Sequence, residues 1–172
     1  MVIDFSQVEK QRLAKYHDLT KFDCDDNDIN EFLKKDALVY QEMKIATTTI
    51  FIYKEEIIGF FSATSDSIRL NLSEKEAEKL DTKRISEFPA IKVARLAVDK
   101  GHHKQGVGTL ILKYAIGHIL ECSEMVAVRF VTVDSYPARV GWYHKLGFVK
   151  NEHKDYKDQR NVSMRYDLHN DG

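Results

Sequence analysis

Val98-Asp99-Lys100-Gly101-His102-His103-Lys104-Gln105-Gly106-Val107-Gly108-Thr109 separates two apolar stretches, and its reading decides the fold. Upstream, Pro89 to Val98 alternates enough to form a strand. Downstream, Leu110, Ile111, Leu112, Tyr114, Ala115, Ile116, Ile119 and Leu120 cover most of a helical circumference, which implies a central helix buried on more than one side. Gly106 and Gly108 therefore stand where a strand gives way to a helix. The first backbone N–H groups of such a helix have no carbonyl partners and can hold an anion, preferably a phosphate. Glycine also serves in turns that bind nothing, because it tolerates unusual dihedrals and close packing. The spacing is neither a Walker loop, since no Gly-Lys-Ser/Thr follows, nor a GxGxxG dinucleotide fingerprint.

Working outward, Met125 to Val133 is a near-continuous apolar run, as expected of a strand covered on both faces. Ser135 and Pro137 open a helix that Gly147 closes, followed by strands at Phe148-Val149 and Val162 to Leu168 around the polar segment Asn151 to Asn161. On the N-terminal side, Ala46 to Tyr53 and Ile57 to Thr64 read as a hairpin joined at Lys54-Glu55-Glu56. Ile29, Phe32, Leu33, Ala37 and Tyr40 recur at helical spacing behind a cap at Asp25 or Asp26. Ser73 with Glu76 is a capping-box pattern for a short helix to about Leu80, and Asp81 to Glu87 reads as a polar loop. Gln7 to Tyr16 reads as a short helix or a loose arm.

A chain of 172 residues suits one domain, and 43% hydrophobic with 31% charged residues is an ordinary globular balance. The formal net charge of −1 argues against a molecule that captures nucleic acid by charge alone. Cys24 and Cys122 stand apart, with neither disulfide nor zinc-site spacing, so no metal site is expected. The first residues lack a signal-peptide pattern and no apolar run reaches the ~18 residues of a membrane span, so a cytoplasmic protein without membrane attachment is expected.

His103-Lys104-Gln105-Gly106-Val107-Gly108 resembles the Arg/Gln-x-x-Gly-x-Gly/Ala signature of the GNAT superfamily of acetyl-coenzyme A-dependent N-acetyltransferases, with a His in the Arg/Gln position. Trp142-Tyr143-His144-Lys145-Leu146-Gly147-Phe148 is similar to the Phe-Tyr-x-x-x-Gly-Phe of the same family. The elements follow the family's order over roughly residues 20–168. The resemblance implies an α/β (α+β) fold: a mixed, mostly antiparallel sheet, helices on both faces, and a strand pair splayed near residues 96–99 and 131–134 to admit acetyl-coenzyme A. It implies that the backbone of Leu96, Ala97 and Val98 pairs with the pantetheine arm and that the turn comprising His103, Lys104, Gln105, Gly106, Val107, Gly108 and Thr109 wraps the pyrophosphate. It further implies that Val98 N–H polarises the thioester carbonyl and that Tyr143 protonates the leaving thiolate. A phenol with an ordinary pKa of about 10 retains its proton at neutral pH and suits that task; a core tyrosine with a satisfied hydroxyl is the bland alternative. For the base, Asp134, His103, Glu87 and bulk water all stand open, with Asp134 also placed at the acceptor.

Phe22-Asp23-Cys24, Ile29-Asn30-Glu31-Phe32-Leu33 and Lys92 to Asp99 resemble the GNAT subgroup containing aminoacyl-tRNA-acetylating toxins, with Ala94 in place of a glycine. In that reading Arg95 faces the acceptor, the other reading being a structural charge pair. The expected reaction is acetyl transfer to a primary amine of a small molecule or protein, with aminoacyl-tRNA as the second acceptor class and a non-catalytic acyl-coenzyme A sensor as the third reading. From Arg139 to Arg165 seven basic residues face Glu152, Asp155 and Asp158, a small bias toward binding tRNA. Dimers are common in the family, so a homodimer is an allowed state.

Overall fold

The computed structural model describes residues 3–80 and 84–171. Its strands are β1 (Glu9–Arg12), β2 (Thr47–Tyr53), β3 (Glu56–Arg69), β4 (Glu87–Val98), β5 (Phe130–Ser135), β6 (Val149–Lys150) and β7 (Val162–Asp167). Its helices are α1 (Asn27–Glu31), α2 (Ala37–Glu42), α3 (Leu72–Ala77), α4 (Val107–Ser123) and α5 (Val140–Lys145). The strands hydrogen-bond in the order β1-β2-β3-β4-β5-β7-β6. The pairs β1–β2, β2–β3, β5–β7 and β6–β7 are antiparallel and β4–β5 is parallel. This is the mixed, mostly antiparallel sheet expected. The β4–β5 ladder pairs Ala90–Lys92 with Phe130–Thr132 and, among the described residues, goes no further, although β4 continues to Val98 and β5 to Ser135. The chain forms two compact units: residues up to Thr64 with Val93–Ala115, and Ser65–Lys92 with Ile116 onward.

In the first unit, Leu13, Phe22, Phe32, Leu33, Ala37, Ile50, Phe60 and Ala97 form a buried cluster, with Phe22 set edge-on to Phe60 at 5.6 Å. The helical periodicity from Ile29 is real, and Asp26 caps it by accepting the Ile29 N–H. A π turn at Phe32–Asp36 divides it and buries both Phe32 and Leu33. The N-terminal segment departs from expectation. A single 3-10 turn at Phe5–Gln7 precedes β1, whose four polar residues pair with β2 from Glu9↔Ile52 to Arg12↔Thr49. Charged residues are ordinary on an edge strand, and a ladder donated by a distant partner leaves no local periodicity. Gly59 allows close approach: a Cβ there would lie 2.5 Å from Ile111 Cδ1 and 2.7 Å from the Ala97 carbonyl oxygen.

Helix α4 buries Val107, Ile111, Leu112, Ala115 and Ile119, a single stripe, while Lys113, Gly117, His118 and Glu121 are exposed. Burial on more than one side was too broad a reading, because Leu110, Tyr114, Ile116 and Leu120 are only flanking, half-buried positions.

In the second unit, Ile68, Leu70, Phe88, Ala90 and Phe130 form the core. Strand β5 starts later than the apolar run. Met125 is 90% exposed, and the N–H groups of Met125 and Val126 both donate to Cys122 O, so these two residues belong to the turn after α4. From Phe130 to Val133 every residue is buried, as expected of a strand covered on both faces. The capping box is at Asn71 and Glu74, not Ser73 and Glu76. Asn71 Oδ1 accepts the Glu74 N–H at 2.9 Å and Glu74 Oε2 accepts the Asn71 N–H at 2.8 Å. Glu74 Oε1 also accepts from Arg165 Nη1 at 2.9 Å, and Arg165, 3% exposed, binds Glu78 through Nη2 at 2.7 Å. Those tertiary partners fix which of two similar boxes forms. Of the expected polar loop at Asp81 to Glu87, residues 81–83 lie outside the described residues, and Glu87 is the first residue of β4.

Candidate active site

The turn after β4 is built from its own side chains. Asp99 Oδ1 accepts the Gly101 N–H at 2.9 Å and Oδ2 accepts the Asp23 N–H at 3.0 Å. Lys100 Nζ meets Asp23 Oδ2 at 2.7 Å, and this bond, with those from Asp25 N–H and Asn30, holds the Asp23 carboxyl far below the usual carboxylate range. His103 Nε2 lies 2.9 Å from Val98 O, so this nitrogen carries the proton and donates to the strand end. The residue in the Arg/Gln signature position thus ties the turn back onto β4.

The Asp99 N–H donates to Ile58 O at 3.0 Å, toward β3. Successive strand residues alternate their N–H groups between edges, so the Val98 N–H points away from β3. That orientation is what a carbonyl-polarising donor needs. Ala97 is buried, and Leu96 and Val98 are half-buried.

At the far end of the turn, Lys104 has φ +59° and Gly106 φ +83°, both in the left-handed region. The first backbone bond of α4 runs from Leu110 N–H to Gly106 O at 3.0 Å, so the N–H groups of Val107, Gly108 and Thr109 precede any intrahelical acceptor. Gln105 Nε2 donates to Gly101 O at 3.2 Å, while Gln105 Oε1 is buried without a partner among the described residues. Amides without partners among the described residues, at the positive end of a 17-residue helix, fit a pyrophosphate.

The remaining candidates lie outside this turn, on strands β4 and β5 and in helix α5. Arg95, on β4, stacks its guanidinium 4.1 Å over the Phe32 ring. Among the described residues its partner is an aromatic face and not the acid of a structural charge pair. In the second unit, Tyr143 packs edge-on against Trp142 at 4.8 Å and Phe148 at 5.4 Å. Burial pushes its hydroxyl up to about 12. Gly147, at φ +94°, ends α5, and a Cβ there would lie 2.9 Å from Tyr166 Cε2. Asp134 Oδ2 accepts from Lys92 Nζ at 2.9 Å, and Lys92 is also 3.6 Å from Asp66, whose Oδ2 accepts the Thr132 hydroxyl at 2.6 Å. Glu87 Oε1 is held by Arg69 at 2.8 and 3.0 Å. Two of the three side chains considered as bases are therefore committed to cations.

Three contributors were not singled out from sequence. Phe5 Cζ sits 3.4 Å from where a Gly106 Cβ would be, Gly59 brings β3 against Ala97, and Asp99 joins the turn to Asp23. Gly59 alone had a sequence signal, a lone glycine inside a strand pattern. Among the described residues no helix is long and apolar enough to cross a membrane.

A family model for the acetyltransferase (GNAT) domain matches residues 20–168. A tRNA-acetylating toxin of Mycobacterium tuberculosis is 23% identical over 124 residues, 72% of this chain and 72% of that protein. The structure of AtaT complexed with acetyl-methionyl-tRNAfMet superposes with a TM-score of 0.83 at 19% identity, covering 95% of this chain and 96% of that one. That of AtaTR bound with AcCoA gives 0.78 at 20% identity, covering 96% of each. At such identities the two structures establish a shared fold. With strand, glycine turn and helix in the family's order and the family model running from residue 20 to 168, the chain belongs to the GNAT acetyltransferase family.

Proposed function

We propose that this chain transfers the acetyl group of acetyl-coenzyme A to the α-amino group of an aminoacyl-tRNA. The turn from Val98 to Thr109 carries the donor half of this reading: the first N–H groups of α4, without partners among the described residues, and left-handed Gly106 make an anion cradle at the end of a strand whose Val98 N–H faces away from β3. Acetyl-coenzyme A supplies an activated thioester. Lys104 to Thr109 hold its pyrophosphate, the backbone of Leu96 to Val98 aligns its pantetheine arm, Val98 N–H polarises the acetyl carbonyl, and Tyr143 O–H hydrogen-bonds the departing sulfur.

The acceptor is chosen by the base. Asp134 and Glu87 are engaged by Lys92 and Arg69, so neither is a free carboxylate. An α-amino group of pKa about 7.7–8.0 is already neutral in roughly a tenth to a fifth of molecules at pH 7, whereas a lysine amine at about 10.4 is about 250-fold less so. With both candidate carboxylates engaged, the site suits an α-amine, which needs less help to lose its proton. The Mycobacterium tuberculosis relative, a tRNA-acetylating toxin, and the AtaT complex with acetyl-methionyl-tRNAfMet support the same acceptor, which ranks it above small-molecule and protein amines. Both substrates place the reaction in the cytoplasm. Arg95, held over the Phe32 ring, is proposed to meet the acceptor. Coenzyme A release, followed with a polyamine, a lysine peptide and a charged tRNA pool, tests the reading: only the charged tRNA should support turnover, and turnover with the peptide alone would overturn it.

A further inference from the structure

A cavity of about 490 Å³ opens beside the segment joining β6 to β7, within the about 300–1,000 Å³ range of small-ligand sites. Its floor is polar and rigid. Asn151 and Ser163 are buried, with Asn151 Nδ2 donating to Ser163 Oγ at 2.8 Å and Asn151 Oδ1 accepting from Arg165 at 3.0 Å. Arg165 is itself clamped by Glu74 and Glu78, so the floor is ordered before any ligand arrives.

The walls are less committed. Asn161 lines the cavity, and its Oδ1 is buried without a partner among the described residues, so turning this amide toward a ligand forfeits none of the bonds described at that oxygen. Lys150 and Lys157 outnumber the one lining acid, Glu152, and neither lysine is in an ion pair among the described residues. Asp155, the neighbouring acid, is held by Arg69 at 3.2 Å. Tyr156 supplies an aromatic wall, its hydroxyl fixed by the Arg69 N–H at 2.9 Å.

We propose that this cavity seats one unpaired nucleotide of the RNA acceptor: Lys150 and Lys157 take the phosphate, Asn161 bonds a base or ribose group, and Tyr156 offers its ring to the base. Two cations, a free amide and an aromatic wall are what a single-stranded nucleotide recognises. The inference rests on aminoacyl-tRNA being the acceptor, and it assigns a binding site that no part of the acetyl-transfer chemistry requires.

The test uses the full chain, with a Lys150→Gln/Lys157→Gln double variant and a separate Asn161→Leu variant. Removing both cations from the one phosphate should lower the log–log salt slope for charged tRNA by about 0.7 and raise its KM about fourfold near 150 mM salt. Asn161→Leu should raise that KM at every salt concentration without changing the slope. For both, kcat and the KM for acetyl-coenzyme A should stay unchanged, which also reports that the variants fold. If the parent acetylates charged tRNA but both variants match it in KM and slope, the nucleotide site is wrong and the acceptor assignment stands. If the parent acetylates no tRNA, the acceptor assignment fails. The site is then judged separately by fluorescence polarisation of a labelled single-stranded RNA ending in CCA, where equal affinity of parent and variants overturns it. Displacement of that RNA by poly-glutamate as readily as by unlabelled RNA would show a site for acidic peptides and overturn the nucleotide assignment.

Discussion

Tyr143→Phe separates donation of a proton or hydrogen bond from packing. The Tyr143 ring is set against Trp142 at 4.8 Å and Phe148 at 5.4 Å, and phenylalanine keeps both contacts. Stability should therefore change little. The hydroxyl, pushed by burial up to about 12, keeps its proton throughout the working pH range. A thiol titrates near 8.5, so complete proton transfer from this hydroxyl would be uphill by about 5 kcal/mol. The hydroxyl therefore acts by hydrogen-bonding the sulfur as negative charge develops. A hydrogen bond to a charged group contributes about 1.5–3 kcal/mol, which corresponds to a loss of about 10- to 150-fold in kcat. Because the charge exists only as the thioester breaks, the KM for acetyl-coenzyme A should not move. Following thiol release with a chromogenic reagent under saturating charged tRNA measures both parameters, and thermal melting checks the fold. A kcat within twofold of the parent, at equal melting temperature, would refute the role of the hydroxyl; an unchanged kcat with a raised KM would make Tyr143 a binding residue.

Other perturbations address the remaining parts. Gly106→Val places a β-branched residue at φ +83°, where an L side chain costs about 1–2 kcal/mol or more, and a side chain in the anion cradle; acetyl-coenzyme A affinity by calorimetry should fall at least tenfold. Arg165→Met leaves Glu74 and Glu78 without their buried cation, so urea denaturation should show a loss of about 3–5 kcal/mol. Alkaline titration followed by circular dichroism should separate parent from Tyr143→Phe. A phenol whose folded pKa is raised from 10 to about 12 contributes fully below pH 10 and loses that contribution as pH rises through 12, so the phenylalanine variant should unfold at the higher pH.

The glycine turn between β4 and α4 was legible because it is local. Gly106, Gly108 and the apolar residues on either side lie within one short stretch, and the dihedral that requires glycine follows from the strand-to-helix turn itself. The helix carrying Trp142 and Tyr143 was legible through Gly147, whose positive φ follows its end. What sequence did not reveal depends on partners far along the chain. The strand Glu9–Arg12 exists because β2 supplies its ladder, so its own residues show no apolar alternation. Asn71–Glu74 prevails over Ser73–Glu76 because Glu74 also binds Arg165 and the Glu152 N–H. The pairing of Asp134 with Lys92 joins β5 to β4, 42 residues apart in sequence, and leaves no local pattern. Met125 and Val126 are apolar enough for a strand, yet the carbonyl of Cys122 holds them in a turn.

The most direct test of aminoacyl-tRNA acetylation is mass detection of the acetylated product. Purified protein is incubated with acetyl-coenzyme A and charged tRNA, the tRNA is digested with nuclease, and the aminoacyl-adenosine is weighed. The account predicts a gain of one acetyl group on the α-amine in the parent, reduced at equal time in Tyr143→Phe. Aminoacyl-adenosine of unaltered mass, from protein shown to bind acetyl-coenzyme A, would contradict it.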